Sequence, residues 1–133
     1  MRMRSDWGAR APRWLLAAAG VVFLLTGVVF FVAPSWAADN FPWNVSPFVA
    51  MTVGGWAIGT GLIALDIARS WVPGRVYAVL LYVWLFSVSE AAIVLMFLAG
   101  LRTDHILTWP YLASLGLGVA SAKAPRRRAP ASV

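Results

Sequence analysis

The chain has 133 residues, 61% of them hydrophobic and 12% charged, against roughly 45–50% and about 25% in ordinary soluble domains. The lack of cysteine excludes a disulfide scaffold or a thiolate metal site, one histidine cannot build a His-based metal centre, and five acidic residues leave little for acid–base catalysis. A net charge of +6 could mark a nucleic-acid partner, but the basic residues cluster before the first apolar run and after the last, which is a membrane pattern.

Taken in chain order, Arg2, Arg4, Arg10 and Arg13 precede a first uncharged run, Trp14–Val32, that predicts a span over about 14–33. Its competing reading is a secretory signal with Ser35-Trp36-Ala37 before a cleavage point. The run exceeds the usual apolar core of about 7–15 residues, which favours retention as a span. The connection to about residue 47 holds Pro34, Pro42 and Pro47, which predict no regular helix there. Its Trp36, Phe41 and Trp43 suit a headgroup layer.

A second span is expected over about 48–68. It carries Gly54, Gly55, Gly59 and Gly61, and the Gly55–Gly59 spacing predicts a close helix seam at which a leucine would harm folding. Asp66 and Arg69, three apart, predict an interfacial ion pair near Arg75. Ser70-Trp71-Val72-Pro73-Gly74 reads as a tight turn into a third span over about 75–100. In the next connection His105, beside Asp104, reads as a surface residue. Trp109-Pro110, with Thr108 or Asp104 as N-cap, opens a fourth span over about 106–122, where Ser114, Gly118 and Ala122 repeat the small-residue spacing. The remainder, 123–133, is expected to be a basic disordered tail whose Arg126, Arg127 and Arg128 meet anionic lipid, while Trp36, Trp43, Trp71 and Trp109 sit at the interfaces. Phe31, Ala33 and Trp43 recur 66 residues later as Phe97, Ala99 and Trp109, which would fit two stacked hairpins.

The fold class expected is therefore an all-α integral membrane protein: one four-transmembrane-helix bundle over 1–122 with the tail beyond it. One face would carry ten Lys and Arg and the other only Arg102, so both termini are expected in the cytoplasm and the chain in the inner membrane of a bacterium.

Glu90 is the one acid deep inside an expected span. A charge near a helix centre costs roughly 2.5–3.5 kcal/mol on insertion scales, so such acids are candidate functional groups. Depth matching nominates Thr26, Trp56, Ser114 and Ser87 as its hydrogen-bond partners. A four-span protein with a buried glutamate resembles the small multidrug transporters in architecture. Their essential glutamate lies in the first span, where this chain has no acid.

Phe41-Pro42-Trp43-Asn44-Val45-Ser46-Pro47 leading into Gly54-Gly55-Trp56 and Gly59, with Trp109 opening the last span, resembles a family of small uncharacterised bacterial four-span membrane proteins. The resemblance implies a fold and supplies no activity. The sequence leaves two readings of function. One is a non-enzymatic structural or accessory membrane component, alone or in a larger complex or homo-oligomer, with no cofactor and no metal. The other is a carrier or binder of a small or lipid-like molecule through Glu90.

Overall fold

A computed structural model describes residues 5–120, with side chains from 13 to 119. The expected tail, with Arg126 to Arg128, and Ala122 lie outside these described residues. Among them the chain is all-helical: α1 (Ser5–Val32), α2 (Pro34–Asn40), α3 (Pro47–Ser70), α4 (Pro73–Met96), a 3₁₀ turn (Leu98–Gly100) and α5 (Thr108–Ala120). Three helices, Arg13–Val32 within α1, α3 and α4, are long and apolar enough to cross a membrane, and they mark an all-helical membrane protein. Twenty residues at 1.5 Å each reach ~30 Å, one hydrocarbon thickness. The 13 described residues of α5 reach only ~20 Å.

Local chemistry explains the boundaries. Ser46 caps α3, its Oγ accepting from the Val49 amide at 3.3 Å, and Pro47 occupies the first turn. At the other end Trp71 takes the left-handed position at φ 47°, where glycine is usual, and its amide donates to Ile67. The expectation of no regular helix between Pro34 and Pro47 is corrected by α2. Pro34 sits in its first turn, where a missing N–H costs nothing, and Pro42 follows its end. Seven residues fit between the prolines.

The helices associate as two antiparallel pairs, α1 with α3 and α4 with α5. The α1–α3 seam is set by four glycines. A Cβ on Gly27 would lie 2.7 Å from the Gly54 carbonyl oxygen, and one on Gly61 would lie 2.7 Å from that of Gly20. Gly20 and Gly27 are seven apart, as are Gly54 and Gly61. The two antiparallel backbones therefore meet twice, two turns apart. The expected seam is corrected at Gly55 and Gly59: a Cβ at either would meet nothing within 4 Å among the described residues. Neighbouring positions on a helix point about 100° apart, so the seam that takes Gly54 turns Gly55 away.

Beside the long connections the two pairs are closed over a small core. Phe30, Ala37, Ala38 and Ala50 are buried there, with Phe41, Val45, Val53 and Leu107 packed against them. Loop contacts tie the pairs together at this end. Trp43 Nε1 donates to the Phe97 carbonyl (3.2 Å), Arg102 donates to Asn44 Oδ1 (2.8 Å), and the Arg102 amide donates to the Pro42 carbonyl (2.7 Å).

Candidate intramembrane polar site

Glu90 lies on α4, six residues before its last residue, or ~9 Å along the helix. It is half-buried, and its Oε2 accepts a 2.7 Å hydrogen bond from the Tyr111 hydroxyl on α5. Tyr111 sits in the first turn of α5, just after Trp109-Pro110. The Trp43 ring meets the Tyr111 ring edge-on, with centroids 5.6 Å apart and planes at 89°. A carboxyl, a phenol and an indole thus form a stack that begins in α4 and ends in the α1–α3 connection. The half-buried carboxyl gains a hydroxyl donor inside the chain, which offsets part of its desolvation.

None of the expected partners contacts Glu90 by hydrogen bond. Ser114, one turn beyond Tyr111, donates instead to the Tyr111 carbonyl at 2.7 Å. Trp56 donates from Nε1 to the Tyr82 hydroxyl at 3.0 Å. Its ring stacks on Phe86 (4.7 Å, 25°) and meets Phe23 edge-on at 6.0 Å, so it joins α1, α3 and α4. Ser87 is buried against Gly118, where an added Cβ would collide with its hydroxyl; this is a close contact of the α4–α5 seam. Thr26 lines a separate shallow groove of about 250 Å³ with Phe30, Trp36 and Leu107. Sequence reasoning missed Tyr111 because it matched depths by Cα position, whereas a phenol carries its hydroxyl more than one helical turn from its backbone.

The charged residues at the helix ends also differ from expectation. Asp66 faces Arg75 at 3.8 Å, not Arg69, and both side chains are well exposed. Arg13 donates from Nε to the Ala68 carbonyl (2.6 Å) and from Nη2 to the Arg69 carbonyl (2.7 Å), filling the acceptors that the end of α3 leaves open. His105, expected at the surface, has a side chain only 11% exposed. Its Nδ1 is buried without a partner among the described residues, and its Nε2 lies 3.7 Å from Asp104. Thr108, fully buried, donates back to the Arg102 carbonyl, so that its hydroxyl closes the loop ahead of α5. Trp36 and Trp109 are exposed beside the long connections, and Trp71 stands at the opposite, turn end.

No three metal-ligating side chains come together among the described residues. No protein-family model, curated protein or solved structure matches the chain.

Proposed function

We propose that the protein is a non-enzymatic accessory component of a larger complex in the bacterial plasma membrane, a four-span bundle with both termini in the cytoplasm. The observation that carries this reading is the use made of neighbouring glycines on α3. Gly54 and Gly61 close the seam with α1, while Gly55 and Gly59, four apart on another face, meet nothing within 4 Å among the described residues. A small-xxx-small face turned outward lets a helix of another chain approach closely. The orientation is supported by the count of ten Lys and Arg against one, and the bacterial setting by the family resemblance of the first connection and second span. Anionic lipid at the cytoplasmic face is the further partner this reading implies.

The carrier reading keeps one observation in its favour: Glu90 is half-buried, and among the described residues only its Oε2 is hydrogen-bonded. The internal bond to Tyr111 makes a packing role the better account of that residue. A photo-crosslinking amino acid placed at Gly59 in native membranes tests the accessory reading. One discrete protein adduct is expected, lost in the Gly55→Leu chain and kept when the second change is made at exposed Leu117. Lipid adducts alone, or a protein adduct indifferent to Gly55→Leu, would overturn it.

A further inference from the structure

At the turn end, α1 and α3 leave an open groove of about 510 Å³ lined by Arg13, Trp14, Ala17, Leu65, Ala68 and Arg69. The geometry points to a binding site for the headgroup of one anionic phospholipid in this groove, its phosphate between Arg13 and Arg69 and an acyl chain along Ala17 and Leu65. This goes beyond the general attraction of basic termini to a charged leaflet, because it rests on a built arrangement.

The arrangement begins with Arg13. Two of its three nitrogens are fixed on the Ala68 and Arg69 carbonyls, which holds the guanidinium in place and leaves Nη1 without a partner among the described residues. The same two bonds cover the carbonyl-rich end of α3, which would otherwise repel an anion. The Arg69 guanidinium makes no hydrogen bond or ion pair among the described residues, although Asp66 lies one turn away on its own helix; Asp66 faces Arg75 instead. Two arginines thus line the groove, and among the described residues neither guanidinium is paired with a carboxylate.

Depth chooses lipid over a soluble phosphate. The uncharged apolar run Trp14–Val32 of α1 follows directly on Arg13, so the guanidinium stands at the hydrocarbon boundary, with Ala17 one turn inside it. Trp14, 73% exposed, places its indole at the level where amphipathic rings accumulate. Arginine offers several N–H donors in a plane, suited to phosphate oxygens.

The inference rests on the membrane reading of the chain, not on the accessory role, so its test uses the isolated protein. Full-length protein in a neutral detergent is titrated with phosphatidylglycerol, with phosphatidylcholine of the same chains, or with inorganic phosphate, and bound species are counted by native mass spectrometry. Phosphatidylglycerol is expected to bind one molecule in preference to phosphatidylcholine. Arg69→Gln, which keeps the backbone carbonyl that Arg13 caps, is expected to weaken that binding about fivefold, the effect of one interfacial charge. Arg75→Gln, removing an equal charge already faced by Asp66, leaves it unchanged. Equal binding of the two lipids, equal loss in both variants, or displacement of the lipid by an equal concentration of inorganic phosphate would overturn the site.

Discussion

Helices α1 and α3 meet backbone to backbone, whereas α4 and α5 meet through side chains. Apart from Arg13 at the turn end, no side-chain hydrogen bond joins α1 to α3 among the described residues, and the pair relies on glycine contacts with no room for a Cβ. Among the described residues the second pair has one comparable contact, Gly118 on Ser87, and adds the Tyr111–Glu90 hydrogen bond. In lipid there is no hydrophobic gain from bringing two apolar helices together, so close packing and polar contacts are the available means. The two halves of this molecule weight them differently. A backbone seam is rigid in what it accepts, since neither chain can move aside without shifting a helix. A side-chain seam can adjust by rotamers.

That contrast predicts unequal responses to added bulk. Gly27→Leu, which drives a side chain into the Gly54 carbonyl and the Ile58 amide, is expected to cost about 3 kcal/mol, the upper end of the usual overpacking range. Gly118→Val meets a serine side chain, and about 1–2 kcal/mol is expected because part of the strain relaxes. Unfolding of both variants in the same detergent checks the order. A larger loss at Gly118 would reverse the comparison.

The polar contact gives the smallest effect and sharpens the question of Glu90. Glu90→Leu leaves the Tyr111 hydroxyl without its acceptor, and a loss of ~0.6 kcal/mol is expected from the average of such contacts in membrane proteins. Glu90→Gln keeps an acceptor oxygen at the same place and is expected to match the parent in stability. It also cannot exchange a proton. A proton signal on ligand addition that is present in the parent and lost in Glu90→Gln would therefore move the protein to the carrier reading.

The sequence carries the parts of this fold that depend on long uninterrupted apolar runs. The three long helices and the Ser70–Gly74 turn follow from run length and from Pro73 and Gly74. Parts that depend on pairs of distant residues are harder to read. The four-residue spacing of Gly55 and Gly59 is a strong local pattern, yet the contact uses the seven-residue spacing of Gly54 and Gly61. The informative signal was the same spacing in the first span, Gly20 and Gly27, two spacings that match only when the spans are read together. Asp66 illustrates the same difficulty. Its neighbour one turn along the helix is Arg69, but the turn at Trp71 brings Arg75 to it, and only the tertiary path reveals that. Short α2 was obscured for a different reason: prolines break helices in their interior and open them in their first turn, so position mattered more than number.

Gly54 and Gly55 are consecutive residues of the same type on the same helix, and the account gives them opposite roles. Thermal unfolding of Gly54→Leu and Gly55→Leu, purified in parallel in one detergent, tests this most directly. A leucine at 54 must enter the space held by the Gly27 carbonyl and Phe30, each 2.9 Å from the first added carbon, whereas one at 55 enters open space. The account predicts a marked loss of stability for Gly54→Leu, on the order of 3 kcal/mol, and parental stability for Gly55→Leu. Equal losses, or the larger loss at Gly55, would contradict it.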